Sequence, residues 1–279
     1  YYGGRGDYRL TNTDKGTTEA FTISGAKQFG DLNFYAGYTN MRANDIFELT
    51  SAQSESSYGR SVRADGENIS AARSNFMVEH KLITSIDYTT QIFGNNDTRF
   101  SLVYVAKSGE PYSVTFDGYD DAFANDRSDG GYDAAYIPTS ASDPNVVFSS
   151  AAVAETVMAH VNGSGLAGYK GQIVPRNAFN SPWIRSLDMR ITQDIQVMEG
   201  HKVILYLDIT NLLNLIDDDK GIVREYSNRS RQIILDEDNP YDSQGRYNII
   251  GVDPDDGLFV YNQDGQSSYQ WNLGFKYQF

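Results

Sequence analysis

Asp188, Arg190, Asp194 and Asp208 stand at even positions in two stretches whose odd positions are mostly apolar. Alternate residues of an extended chain share a face. Ser186, Asp188, Arg190, Thr192, Asp194 and Gln196 therefore line one side of the stretch 183–197, and Leu187, Met189, Ile191, Ile195 and Val197 the other. Val203, Leu205, Leu207 and Ile209 alternate likewise with Lys202, Ile204, Tyr206, Asp208 and Thr210. Charges at this spacing are suited to ion pairs and charge-assisted hydrogen bonds along a polar wall.

A second concentration of chemistry is acidic. Asp117, Asp120, Asp121, Asp126, Asp129 and Asp133 crowd one polar stretch, and Asp236, Glu237, Asp238 and Asp242 another. Asp253, Asp255 and Asp256, next to Gly257, offer hard oxygen donors of the kind Ca²⁺ takes, although none of these runs follows the EF-hand pattern. The plainer reading is solvated loop charge, bridged through divalent cations to lipopolysaccharide phosphates. His80, His160 and His201 lack the spacing of metal ligands, and no nucleophile elbow or phosphate-binding loop is present. His80 and His201 read as wall or interfacial residues. The sequence therefore predicts no enzyme and no cofactor beyond a loop-bound Ca²⁺. Gly163-Ser164-Gly165 reads as a flexible linker, and Arg5-Gly6-Asp7 as a chance tripeptide.

Composition narrows the class. With no cysteine among 279 residues, disulfides and thiolate metal sites are excluded. A net charge of −14 argues against nucleic-acid binding, which needs clustered Lys and Arg to meet phosphates. No run of apolar residues is long enough for a membrane-spanning helix. Yet the chain carries 20 Tyr, 14 Phe and 25 Gly with a mean hydropathy of −0.49. Two-faced strands joined by hydrophilic loops account for a chain that is both aromatic-rich and polar.

The elements that position these residues follow from period-2 alternation. Strands are expected over 18–29, from 32 to about 47, 74–93, 99–116, 183–197, 202–216 and 269–279, with a weaker one in residues 1–12. Their connections alternate between short and long, the long ones spanning about 48–73, 117–180 and 217–267. A sandwich has no reason to alternate in this way. An outer-membrane barrel does, with tight periplasmic turns on one rim and long extracellular loops on the other. In the last strand Tyr269, Trp271, Leu273, Phe275, Tyr277 and Phe279 are apolar, and Gln270, Asn272, Gly274, Lys276 and Gln278 are not. Asn272, Gly274, Tyr277 and Phe279 match the pattern of a C-terminal signal read by the outer-membrane assembly machinery.

Four segments carry a more specific likeness. Lys107-Ser108-Gly109-Glu110-Pro111-Tyr112-Ser113, the stretch from Asn180-Ser181-Pro182-Trp183 to Leu187-Asp188-Met189-Arg190, Asp208-Ile209-Thr210-Asn211-Leu212-Leu213-Asn214 and the terminal signal occur in the order of late barrel strands in TonB-dependent outer-membrane receptors. The likeness covers residues 75 to 279 and resembles the Oar-like, OmpA-related branch. It implies an all-β fold in which this chain, residues 1–279, supplies seven or eight strands towards the C-terminal end of a transmembrane barrel of about 22 strands. The plug domain and the TonB box would lie outside this sequence. It further implies an outer membrane of a Gram-negative bacterium, energised uptake of a bulky polar ligand, peptide or glycan, and lumen-facing Asp188, Arg190, Asp194 and Asp208 that hold the plug. The implied partners are membrane lipid, lipopolysaccharide, the rest of the barrel, TonB, the assembly machinery and a surface lipoprotein. A small eight-stranded adhesive barrel without transport is the alternative.

Overall fold

The computed structural model describes residues 11–47, 51–65, 69–117, 132–227, 229–261 and 265–279. The weak strand expected in residues 1–12 and the Arg5-Gly6-Asp7 tripeptide fall almost entirely outside them, as do Asp120, Asp121, Asp126 and Asp129. The chain is mostly β. Its long strands are β1 (Thr17–Phe29), β2 (Leu32–Asp45), β3 (His80–Phe93), β4 (Asn96–Lys107), β5 (Ile184–Met198), β6 (His201–Thr210) and β7 (Gln270–Gln278). They form one antiparallel sheet in sequence order, and the two-residue strand Ala72–Arg73 pairs with β2. The sheet is open, since β1 and β7 lie at opposite edges and do not pair with each other.

Three hairpins have two-residue turns, Gly30-Asp31, Gly94-Asn95 and Glu199-Gly200. Gly30, Gly94 and Gly200 have φ of 60°, 61° and 77°, where a side chain would be strained. Gly30 and Gly94 hold the first central position, as in the primed turns whose twist suits antiparallel strands, whereas Gly200 holds the second, next to a register shift between His201 and Lys202. The three long connections consequently leave from the same end of the sheet.

Four strand boundaries differ by three or more residues from the sequence reading. The fourth strand starts at Asn96 rather than Arg99, because the turn before it has two residues and not five. The third strand starts at His80 rather than Ser74, since Ser74 and Met77 close a turn through a Met77 N–H to Ser74 carbonyl bond of 3.2 Å. The fourth stops at Lys107, and Pro111–Asp117 joins a different sheet. The sixth stops at Thr210, where Asn211 takes a left-handed conformation (φ 54°, ψ 54°) and starts the short helix Leu212–Ile216.

The second and third connections are not simply hydrophilic loops. They zip together into a five-stranded mixed sheet in the order Val146–Phe148, Tyr247–Val252, Arg229–Leu235, Pro111–Asp117, Phe179–Asn180. Two of its pairings are parallel, and each joins one connection to the other. The helix Ala151–Gly163 packs on this sheet through Ala154, Val157 and Val161, and the Ser150 hydroxyl caps it by accepting from the Val153 N–H. Val114, Phe116, Ile137, Val157, Val161, Leu166, Ile233, Leu235 and Ile249 form its core. We term this packed unit the cap. Ser164 is not a linker residue: it accepts from the Leu166 N–H to start a 3₁₀ turn, and a Cβ on Gly165 would collide with the Phe179 ring.

Candidate functional site

The register places the apolar residues of the long strands in continuous rows. Phe34 pairs with Ile86, Ile86 with Leu102, Leu102 with Met189, Met189 with Ile209, and Ile209 with Trp271. One turn nearer the hairpins, Leu32, Tyr88, Phe100, Ile191, Leu207 and Leu273 form the next row. This face is bare. Leu205 has a strand on each side yet is 41% exposed, and Leu273 and Phe275 are 73% and 72% exposed. The hydrophobic core lies in the cap, and of the long strands' apolar residues only Ala43 and Ala106 are buried.

The opposite face carries the charges picked out by spacing. Asp188, Arg190, Asp194 and Asp208 all lie on it, but they form three separate contacts. Arg190 and Asp208 are directly paired, with Nε and Nη2 donating to the two carboxylate oxygens at 2.5 and 2.7 Å. The guanidinium also lies 5.6 Å from the centre of the Tyr206 ring. Lys202 Nζ donates to Asp194 at 2.8 Å. Asp188 accepts from the Asn211 backbone N–H at 2.8 Å, across the step where β6 becomes helix.

The motif residues meet at the junction between wall and cap. A Cβ on Gly109 would lie 2.5 Å from the carbonyl oxygens of both Ser181 and Pro182, so the first and second motifs cross where only glycine fits. The Ser181 hydroxyl accepts from the Tyr226 N–H at 3.0 Å and ties the crossing to the third connection. Asn211 Nδ2 donates to the carbonyls of Gly221 and Gln266 at 2.8 and 3.2 Å. Asn211 thereby clamps the third connection to the end of β6. Its role was not visible in the alternation, although the D-x-x-N spacing marks it.

Aromatic clusters sit at both ends of the apolar face. At the cap end Tyr38 Oη is 2.8 Å from His80 Nδ1, and the Trp183 ring stacks on His80 at 6.0 Å. At the hairpin end His201 Nδ1 lies 2.6 Å from Tyr277 Oη, and Tyr277 stacks with Phe279 at 5.9 Å. His80 and His201 each open a strand, one at each end. His160 is in the cap, 3.0 Å from the Gln232 side-chain oxygen. Of the terminal pattern, Asn272 is paired with Asp208, and Gly274 leaves room for the Tyr206 ring, which a Cβ would strike.

The acidic residues are dispersed among local roles. Asp253 Oδ1 accepts from the Asp255 N–H at 3.3 Å, whereas Asp256 accepts from the Arg231 backbone at 2.6 Å and its guanidinium at 3.3 Å. The carboxylates of Asp253, Asp255 and Asp256 do not converge. Among the described residues only those of Asp217, Asp218 and Asp219 lie within 4.8 Å of one another. Asp217 is already paired with Lys220 at 3.0 Å, which, with the Asp219 N–H, holds its carboxyl below the ordinary range. Asp117 pairs with Arg231 at 3.1 Å, and Asp236 accepts the Asp238 N–H at 3.0 Å. The backbone N–H and then the guanidinium of Arg246 hold Asp242 below the usual carboxylate range.

A groove of about 480 Å³ opens where the first and second connections meet, lined by Arg63, Asp65, Arg73, Tyr169, Ile173 and Arg176 among others. Arg176 pairs with Asp45 at 2.5 Å, which anchors the groove to the end of β2. Arg73 binds Glu79 and Asn180 at 3.0 and 2.6 Å. Sequence reading missed the Arg176–Asp45 and Arg73–Asn180 contacts because they join residues 131 and 107 positions apart.

No protein-family profile, curated protein or solved structure matches the chain. The class is defined by geometry: an open antiparallel sheet with one bare apolar face and one charged face, bearing a packed cap at one end.

Proposed function

We propose that this chain is a wall segment of an outer-membrane β-barrel receptor of the TonB-dependent kind. Its cap and loops would capture a bulky polar ligand on the extracellular side. The observation that carries this reading is the uncovered apolar face running across seven strands. A patch of that extent marks a membrane or partner surface rather than one left to water. The opposite face holds the ion pairs that a wet lumen accommodates, and a basic residue moved from it to the lipid side would cost roughly 2–4 kcal/mol at mid-membrane. Strands of 9 to 15 residues reach across the apolar band, for which about 9–11 suffice. The cap-end groove, with its arginines and Tyr169, supplies hydrogen bonds and ring surface for a peptide or glycan. A self-closed eight-stranded barrel is the second reading, and the edges of β1 and β7, which have no strand partner among the described residues, weigh against it.

Absence of cysteine from these 279 residues permits a direct test. Nitroxide labels on single cysteines at Leu205 and Leu273 should collide with oxygen dissolved in lipid. Labels at Ile204 and Lys276 should collide with a water-soluble nickel chelate. If the Leu205 and Leu273 labels meet water as readily as the other pair, the membrane reading fails. The denatured intact mass of the polypeptide extracted from outer membrane tests the receptor part. A value several times 31.1 kDa supports a plug on the same chain, and one near 31.1 kDa supports the small barrel.

A further inference from the structure

A second groove, of about 600 Å³, lies at the cap end of the apolar face. Its wall strands contribute Tyr104, Trp183 and Arg185, and the third connection contributes Lys220 and Arg224. Tyr104 pairs with Leu187 and Ala106 with Arg185, so Arg185 continues the apolar face into the groove. Three cations there face one acid among the lining residues, Asp219, in a chain whose net charge is −14. Arg185 and Arg224 are exposed and have no ion pair among the described residues, whereas Lys220 shares Asp217. Trp183 is 46% exposed, and Leu215 and Ile216 of the adjoining short helix are 43% and 71% exposed. Basic side chains are thus concentrated where a wide apolar surface ends in an aromatic rim.

From this arrangement we infer that the groove binds the phosphate-bearing headgroup of a membrane lipid whose acyl chains run down the apolar face. The inference rests on the membrane reading above. Guanidinium groups suit phosphate because their fork of N–H donors matches its oxygens. Amphipathic rings such as Trp183 and Tyr104 are favoured at the level where headgroup and chain meet. Free phosphate would use the same cations but would have no use for the apolar surface below them, so the lipid is the favoured occupant.

The test measures bound lipid by native mass spectrometry on the detergent-solubilised full polypeptide. The probes are lipid A carrying its phosphates, dephosphorylated lipid A and inorganic phosphate. Phosphorylated lipid A should bind at least tenfold tighter than its dephosphorylated form, and the double variant Arg185→Glu/Arg224→Glu should abolish that preference. Arg99→Glu, on the opposite face, should leave it intact. Equal binding of both lipids, or equal loss in Arg99→Glu, overturns the proposal. So does displacement of lipid A by inorganic phosphate at equimolar concentration, which would make the groove a free-anion site. The nitroxide labels separate the two levels. A lipid-exposed Leu273 with no phosphate preference sinks the groove alone, and a water-exposed Leu273 sinks the membrane reading with it. If the double variant fails to assemble, Lys220→Ala with Arg224→Ala must reduce the preference at least threefold, or the proposal falls.

Discussion

Arg190 and Asp208 face each other at directly paired positions of β5 and β6, and the guanidinium reaches the carboxylate through two parallel N–H donors at 2.5 and 2.7 Å. Two-point recognition fixes the relative slide of the strands as well as attracting opposite charges. The Arg190 side chain is 58% exposed, so solvent screening limits the attraction. A double-mutant cycle of Arg190→Ala and Asp208→Ala should return a coupling of about 0.5–1 kcal/mol. Thermal unfolding of the detergent-solubilised protein provides the measurement, and additive effects would show that the pair contributes nothing. The exchanged pair Arg190→Asp/Asp208→Arg should recover part of the loss.

Gly109 predicts a larger effect from a smaller change. An alanine there places a methyl group 2.5 Å from two backbone oxygens at the far end of the same connection, and backbone cannot turn aside as a side chain can. Gly109→Ala should destabilise by about 1–3 kcal/mol, the usual range for overpacking. Gly25, in β1, has open space around its Cβ position, and Gly25→Ala should stay within about 0.5 kcal/mol. Similar losses in both variants would refute the crossing at Gly109.

The contrast between these two glycines shows where the sequence was readable. Gly25 lies in a strand that alternation alone located to within a residue, because one face of every wall strand is apolar and a one-residue slip would reverse it. Asp188, Arg190, Asp194 and Asp208 were placed on one face by the same logic. Alternation could not show that the run ending at Phe116 breaks at Ser108-Gly109-Glu110, because Pro111–Asp117 keeps the same period while changing sheets. Nor could it reveal the cap. The cap's strands are three to seven residues long apart from Phe179–Asn180, and two of its pairings are parallel contacts between connections separated by β5 and β6. Such pairings leave no hairpin signal. Asn211 and Gly221 escaped for a related reason, since their contact depends on a left-handed turn rather than on a period.

Tyr277 and Phe279 separate a packing role from a recognition role. Tyr277 has a hydrogen-bond partner in His201, whereas Phe279 is 91% exposed and touches little beyond the Tyr277 ring. Phe279→Ala should therefore leave the thermal stability of assembled protein within about 0.5 kcal/mol, as surface changes do. If the last strand is the assembly signal, the same variant should lower the amount of heat-modifiable barrel in the membrane at unchanged synthesis, and adding Tyr277→Ala should lower it further. Normal assembly of the double variant would remove the signal reading and leave only the contacts of Tyr277 with His201 and Phe279.

Asp143 gives the cap an acid limit. It is 3% exposed, and burial alone would raise its pKa. The backbone N–H groups of Thr139 and Asn145, at 2.7 and 2.8 Å, and the hydroxyls of Thr139 and Tyr136, at 2.7 and 3.1 Å, outweigh that penalty and hold the carboxyl below its ordinary value. Burial, foremost, raises the Tyr136 pKa, which keeps its hydroxyl protonated as a donor through neutral and acid pH. A carboxyl whose folded pKa is depressed binds its proton more readily in the unfolded chain. Its contribution is therefore complete above the unfolded value of about 3.9 and is lost as pH falls from there through the folded value. Cap stability, followed by protease cleavage between residues 132 and 145, should depend little on Asp143 from pH 7 to about 5 and decline below about 4. Asp143→Asn should cost about 2 kcal/mol at pH 7, because the amide presents donors to a site already full of donors. Below the folded pKa the wild type also carries a neutral group, so the gap between the two proteins should narrow. A gap that stays constant from pH 7 down to pH 2 would show that the carboxylate charge does not hold this turn together.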